Sequence, residues 1–126
     1  MKRMKHLLAM MAVLLYSLTV SAEKVEIDGI WYNLIPETEE AEVTYEWGNF
    51  HQGFHSDYSG SITIPSMVNY FNVWYRVTRI GDHAFEWCTG LTAVNIPDIV
   101  TSLGEFAFAE CSDLTAIALP KELTSI

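Results

Sequence analysis

The chain has 126 residues, the length of one ordinary domain. Half of the residues are apolar and 18% are charged, a composition typical of a folded protein rather than a disordered one. The net charge of −9 excludes most nucleic-acid binders, because such binding depends on basic side chains that neutralise phosphates. Two cysteines are too few for a small scaffold held together by several disulfides.

Residues 1–22 have the pattern of a secretory signal peptide. A basic segment ending at Lys5 precedes an apolar stretch over residues 7–20, and the small residues Val20 and Ala22 predict cleavage before Glu23. The apolar stretch is shorter than the ~20 residues that a membrane helix needs, which disfavours an anchor. We therefore predict a secreted or cell-surface protein with no membrane span after cleavage.

Cleavage at this site would make the exported chain still more acidic. The basic residues that then remain are Lys24, Arg76, Arg79 and Lys121, against 16 acids. Such a surface favours cationic over anionic partners. It is also typical of proteins that use charge only to stay soluble.

Short strands are predicted from residue 25 onward. Asp28-Gly29, a pair typical of hairpin turns, separates two apolar segments at 25–27 and 30–32. Alternation of apolar and polar residues from Ala41 to Trp47 indicates a half-buried strand. Residues 36–40 and 48–60 are predicted to be loops.

Two groups of polar side chains in this region contain residue types that bind metal ions. The acidic group lacks the D-x-D-x-D-G spacing of a calcium loop, and the two histidines lie among glycines rather than on one helix face. Both groups are therefore interpreted as solvated loop residues. The acidic group is Glu37, Glu39, Glu40 and Glu42, and the histidines are His51 and His55.

Aromatic side chains are concentrated before the repeats described below. They are Trp47, Phe50, Phe54, Tyr58, Tyr70, Phe71, Trp74 and Tyr75. Packing within a β-rich core is the favoured interpretation, because aromatic residues are enriched in strands. Exposed rings would instead stack on sugars or anchor a protein partner. Trp74 and Tyr75 lie in a predicted hairpin extension, residues 70–77, and point to opposite faces of a strand.

The strongest signal is an internal repeat with a period of 23 residues. The first copy contains Gly81, Ala84, Phe85, Cys88, Leu91, Thr92, Ala93 and Pro97, which recur as Gly104, Ala107, Phe108, Cys111, Leu114, Thr115, Ala116 and Pro120. Conservative apolar matches, such as Val94 with Ile117, support the same offset. A third copy begins at Thr124, where Thr124-Ser125-Ile126 repeats Thr101-Ser102-Leu103.

Each copy predicts one coil of a solenoid. The L-x-x-V-x-I segment from Leu91 is a strand that Pro97 ends, because proline donates no ladder hydrogen bond. The A-F-x-x-C segment is too short for a long helix and is predicted to be one helical or 3₁₀ turn. Stacked coils would place neighbouring strands ~4.8 Å apart around a continuous core.

The segment Ser61–Pro65 aligns with Ala93–Pro97, which predicts an additional strand of the same ladder. Outward-facing positions of the three strands are candidate partner contacts, as are the hairpin residues Trp74 and Tyr75. The outward ladder positions are Ser61, Thr63, Ala93, Asn95, Ala116 and Ala118. Ser61 is the one potential catalytic nucleophile among them. None of the outward positions of these strands is a histidine that could act as its general base, so catalysis is not expected there.

The segments I-G-D-H-A-F-E-W-C-T-G-L-T-A-V-N-I-P and L-G-E-F-A-F-A-E-C-S-D-L-T-A-I-A-L-P resemble BspA-type leucine-rich repeats. This resemblance covers residues 77–126. It implies a bacterial protein that is exported or displayed at the surface. It also implies adhesion-like binding to a protein, a matrix component or another cell.

Cys88 and Cys111 occupy one repeat position, so stacking would bring their Cα atoms to disulfide range, ~5 Å. A ladder of two buried free thiols is the favoured interpretation. There is no C-x-x-C pair for zinc, no G-x-S-x-G elbow, no phosphate-binding loop and no dinucleotide fingerprint. The sequence therefore predicts a protein that is not an enzyme and that uses no cofactor.

These patterns predict an all-β leucine-rich repeat solenoid with three parts: a signal peptide (1–22), an N-terminal β cap with a first ladder strand (23–76) and repeats (77–126). The predicted function is protein–protein or cell-surface interaction. The alternative is a carbohydrate-binding surface module that uses aromatic residues of the cap. Because Ile126 ends the sequence in mid-coil, we expect either a fragment of a longer protein or an open end that a partner or a second copy covers.

Overall fold

A computed structural model describes residues 23–121 and 123–124. The predicted signal peptide lies outside these residues. The described part folds into strands joined by turns. The strands are β1 (Glu23–Ile27), β2 (Ile30–Ile35), β3 (Glu40–Thr44), β4 (Trp47–Asn49), β5 (Gly53–His55), β6 (Gly60–Thr63), β7 (Met67–Tyr70), β8 (Val73–Ile80), β9 (Leu91–Asn95), β10 (Ser102–Leu103) and β11 (Ala116–Ala118).

The largest sheet has the strand order β1-β2-β3-β8-β10, with β7 also paired to β8. The hairpins predicted at Asp28-Gly29 and within residues 70–77 are both present, as β1–β2 and β7–β8. Both turn residues of the second hairpin, Phe71 and Asn72, have positive φ. This conformation matches the right-handed twist of the paired strands.

Two predicted loops are partly wrong. Trp47–Asn49 and Gly53–His55 pair as the small β4–β5 hairpin, which takes up residues 48–49 and 53–55 of the predicted 48–60 loop. Glu40 and Glu42 lie in β3 rather than in a solvated loop. In both places, ladder hydrogen bonds to a neighbouring strand outweigh the loop tendency of glycine and glutamate.

The strands β6, β9 and β11 form a separate parallel sheet in the order β11-β9-β6. Ala93 lies between Ser61 and Ala116, and Asn95 lies between Thr63 and Ala118. The β6–β9 register is the one that the alignment of the two segments predicts. On the larger sheet, β10 pairs in parallel with β8, again joining residues that are 23 positions apart.

The segments from Gly81 to Cys88 and from Gly104 to Cys111 are consecutive turns, so the predicted helical or 3₁₀ turn is wrong. His83 and Trp87 have φ near 61°, a left-handed conformation that interrupts any right-handed helix. The two turn segments are hydrogen-bonded to each other. The backbone nitrogens of His83, Phe85 and Trp87 donate to the carbonyls of Glu105, Ala107 and Ala109.

One hydrophobic core connects both larger sheets and the turns. Its largest fully buried side chains are Tyr32, Phe85, Leu34, Ile80, Leu91, Val43, Val77, Val94 and Val100. Burial is less complete in the second copy of the repeat. Val94 is 1% exposed, whereas its counterpart Ile117 on the edge strand β11 is 39% exposed.

Gly81 and Gly104 occupy the same repeat position but differ in how closely a neighbouring segment of the same chain packs against them. A Cβ at Gly104 would overlap the backbone of Gly81 and Asp82, whereas a Cβ at Gly81 would meet only the end of the flexible Glu42 side chain. We therefore expect Gly104→Ala to lower the free energy of unfolding by about 1–3 kcal/mol, through overpacking between the two copies. Gly81→Ala is the matched control and should cost less, because the Glu42 side chain can move aside.

Urea unfolding followed by tryptophan fluorescence would measure both glycine variants. Equal losses of stability in the two variants would contradict this account of the contact between the turn segments.

Candidate functional site

The outward side chains of the β6-β9-β11 sheet form a surface that we call the ladder face. It consists of Ser61, Thr63, Ala93, Asn95, Ala116 and Ala118. All of these side chains are exposed except Ala93, which is half-buried. They form two rows across the strands, one through Ala93 and one through Asn95. Every side chain is small or short, so a partner could approach the sheet closely along both rows.

The row through Asn95 carries two of the three polar side chains of the ladder face, Thr63 and Asn95, and Ser61 lies in the other row. The side-chain amide of Asn95 donates a hydrogen bond to Oγ1 of Thr63, at 3.3 Å. Both side chains are exposed, and the bond joins neighbouring strands. This pair therefore places an amide and a hydroxyl group on the solvent side of the sheet, at the central and one outer strand.

The structure separates the two hairpin candidates. Trp74 is 56% exposed, whereas Tyr75 is 6% exposed and belongs to the core. Adjacent residues on a strand point to opposite faces, so β8 presents one ring to solvent and buries the other. Tyr75 is therefore removed from the candidate contact surface. Trp74 lies on the larger sheet, not on the sheet that carries the ladder face.

Most of the aromatic residues before the repeats fall into two groups. Phe54, Tyr58 and Tyr75 are buried, as the core-packing interpretation predicts. Four large rings are instead exposed to solvent: Trp47, Phe50, Phe71 and Trp74. Packing within the β-rich core, the favoured interpretation, is therefore wrong for this second group.

A stacked set of rings runs along the turn segments, and we call it the aromatic column. It consists of Tyr45, Phe54, His83 and Phe106. The centroid distances between successive rings are 4.7, 3.9 and 5.5 Å. Sequence patterns missed this site because its members lie far apart in the chain. The one available signal was that His83 and Phe106 are separated by 23 residues.

A groove with a volume of about 510 Å³ lies beside the aromatic column. Tyr45 lines the groove and also belongs to the column, while Asp82 and Glu105 directly precede His83 and Phe106. Glu42 also lines it and accepts a hydrogen bond from the amide of Asn33, at 3.1 Å. The groove is therefore polar and acidic, with an aromatic border.

Among residues 23–121 and 123–124, no group of three or more histidine, cysteine, aspartate or glutamate residues is placed to hold a metal ion. Within the same part of the chain, no helix is long and apolar enough to cross a membrane.

The family model for the BspA type leucine rich repeat region matches residues 54–126, in six copies. The chain belongs to the BspA-type leucine-rich repeat family. The resemblance inferred from the repeated motifs is thereby confirmed. The match begins within strand β5, so it extends further toward the N-terminus than the predicted repeat region, residues 77–126.

Solved bacterial structures show the same fold. A leucine-rich repeat protein from Bacteroides capillosus ATCC 29799 is 29% identical, with a TM-score of 0.65, and the match covers 79% of this chain and 67% of that one. A leucine-rich repeat protein from Bacteroides ovatus ATCC 8483 is 33% identical, with the same TM-score, over 79% of this chain and 24% of that one.

A leucine rich cell surface protein from Faecalibacterium prausnitzii A2-165 is 30% identical, with a TM-score of 0.60, over 82% of this chain and 25% of that one. The BspA-type chain thus spans about a quarter of the length of two of these relatives. No curated protein matches it.

The two cysteines of the BspA-type repeats are free thiols in the structure. Cys88 is buried and Cys111 is half-buried. Burial, reinforced by the neighbouring Cys111, raises the pKa of Cys88 to about 12. Burial also raises the pKa of Cys111, against a backbone hydrogen bond that lowers it. Both groups therefore stay protonated at neutral pH and pack as small apolar side chains.

Because the thiolate is the reactive form, we expect native Cys88 to react with an aromatic disulfide reagent at pH 8 on the order of a thousandfold more slowly than in the unfolded chain. Cys111 should react first, since it is less buried, and both rates should rise with pH. Thiol titration of the native and urea-unfolded protein would measure this difference. Loss of both thiols without any reagent, reversed by a reductant, would instead support the Cys88–Cys111 disulfide.

Proposed function

We propose that the chain is exported and acts at the cell surface or in the surrounding medium as a non-catalytic protein that binds other proteins. The observation that carries this proposal is the ladder face, where small and short side chains form two rows across three parallel strands. Membership of the BspA-type leucine-rich repeat family supports protein binding as the class of function. Adhesion to a host or matrix component is the specific form that we propose.

The proposal includes a solenoid architecture in which each coil has 23 residues. It is supported by pairs with this separation in both larger sheets and in the turns, such as Arg79 with Ser102 and Ala93 with Ala116. Residues 23–76 would then close one end of the solenoid and contribute its first ladder strand. Longer relatives of the same fold are consistent with a stack that contains further coils.

Export is supported by the basic and apolar pattern of residues 1–22. The related protein from Faecalibacterium prausnitzii is a cell surface protein. Surface or extracellular placement would also bring the ladder face within reach of partners outside the cell.

A double substitution, Leu14→Arg with Leu15→Arg, should abolish export, because two charges interrupt the apolar stretch of the signal. In a bacterial host, the unmodified chain should be recovered outside the cytoplasm with Glu23 as its first residue, as measured by mass spectrometry. Leu14→Ile keeps the stretch apolar and serves as the control. Recovery of the doubly substituted chain outside the cytoplasm, or of the control only inside it, would contradict the proposed signal.

Binding through the ladder face should weaken when lysines are placed on the row through Asn95. We expect Thr63→Lys with Asn95→Lys to weaken binding to a purified matrix or plasma protein at least tenfold, or by about 1.4 kcal/mol. The new side chains would add bulk and charge where the partner approaches. Surface plasmon resonance against an array of such proteins would find the ligand and measure the change.

Gln52→Lys with Ser112→Lys adds the same charge at exposed positions outside the ladder face and should leave binding intact. An equal loss in this control would show that charge, not the ladder face, governs binding.

Carbohydrate binding is the second candidate function, favoured by the 56% exposure of Trp74. Trp74→Ala separates the two functions, because it should leave protein binding by the ladder face unchanged. Glycan-array binding that Trp74→Ala removes would favour the carbohydrate function instead.

A further inference from the structure

The aromatic column is open to solvent at one end, where Phe106 is 61% exposed. Beside the column lies Phe50, which is 89% exposed and packs edge-on against Phe54 and His83, at 5.5 and 6.2 Å. Large apolar rings are rarely left uncovered together on the surface of a monomer. The cluster therefore has the character of an interaction surface.

Two residues of the aromatic column have an unfavourable backbone conformation. His83 has φ of 61° and Phe106 has φ of 56°, in the left-handed region that bulky residues seldom adopt. Glycine or asparagine would fit these positions with less strain. A histidine and a phenylalanine instead occupy them, and the two rings are stacked with an interplanar angle of 15°.

One ring of the aromatic column receives a cation from the chain itself. The ammonium nitrogen of Lys24 lies 4.0 Å from the centre of the Tyr45 ring, at one end of the aromatic column. A cation placed over an aromatic face is stabilised by the negative potential of the ring. The exposed rings of Phe50 and Phe106 have no such cation from the described part of the chain.

The groove beside the column supplies negative charge, which complements a cationic ligand. Glu42, Asp82 and Glu105 line it, and no lysine or arginine of the described residues does. Asp82 uses one oxygen to accept a hydrogen bond from the backbone nitrogen of Glu105, at 2.7 Å. The side chain of Glu105 is exposed next to Phe106. Because Tyr45 belongs to both the groove and the column, a basic segment lying along the column would also reach these carboxylates.

We propose that the aromatic column and the adjoining groove form a second binding surface, distinct from the ladder face, for an arginine- or lysine-rich segment of a partner polypeptide. The exposed rings receive the flat guanidinium groups or the ammonium groups, and the groove carboxylates balance their charge. Arginine fits best, because its planar group stacks on aromatic faces.

A fluorescent decapeptide of alternating arginine and glycine, titrated against the full chain in its exported form and followed by anisotropy, tests the proposal. We expect saturable binding that weakens as salt is added. The same peptide with citrulline in place of arginine keeps the shape but lacks the charge, and it should bind at least tenfold more weakly. No binding of the arginine peptide, or equal binding of the two peptides, would overturn the proposal.

Variants then locate the surface. Phe106→Leu and Phe50→Leu remove an aromatic face while staying apolar, and each should weaken binding about threefold. Glu105→Gln should weaken binding of the arginine peptide at low salt, because it removes one carboxylate of the groove.

The controls are Phe71→Leu, which removes an exposed ring in the β7–β8 turn, and Glu37→Gln, which neutralises an acid that does not line the groove. Losses in these controls equal to those in the column variants would contradict the assignment.

Two further measurements separate this surface from the other proposals. The ladder-face variant with Thr63→Lys and Asn95→Lys should still bind the arginine peptide, and a loss there would contradict two distinct surfaces. A hexamer of N-acetylglucosamine should not displace the peptide. If the hexamer displaced the peptide, and Phe106→Leu abolished that displacement, the column would be a carbohydrate site and not a site for basic peptides. Thermal unfolding of each variant confirms that the folded protein is being compared.

Discussion

Lateral contact between equivalent residues of successive repeat copies is the interaction on which the rest of the structure depends. Backbone hydrogen bonds join the two turn segments, and parallel ladders join the strands on both larger sheets. Inside these layers, the rings of Phe85 and Phe108 are stacked with centroids 5.1 Å apart and nearly parallel planes. No single copy could bury its apolar face alone, so each copy is stable only against its neighbour.

This contact also determines what each surface can present. On the β6-β9-β11 sheet, equivalent outward positions form continuous rows of small side chains. Along the turns, the same repetition places His83 against Phe106, and Phe54 of the preceding hairpin extends the stack. One repeating backbone therefore produces a flat, mildly polar surface and an aromatic, acidic one. The amino acids at the variable positions of the repeat decide the difference.

Some structural features followed from local sequence and others did not. The Asp28-Gly29 turn, the β7–β8 hairpin and the pairing of Ser61–Thr63 with Ala93–Asn95 were predictable, because turn residues and alternating side chains act over short distances. The β4–β5 hairpin was not, since its glycines and asparagine are equally typical of a loop. The turn segments also differ from prediction, because left-handed residues at His83 and Trp87 are not visible in a composition that suits a helical turn.

The sequence by itself determined the family, the register of the β6–β9 pair and the small side chains of the ladder face. It could do so because equivalent residues are recognisable from their spacing and from their similarity along the chain. Tertiary structure alone decided which rings are buried and which are open, as with Tyr75 and Trp74 on one strand. It also decided that Tyr45, Phe54, His83 and Phe106 meet. Contacts of this kind depend on how separate segments pack in three dimensions, and no spacing within one segment encodes them.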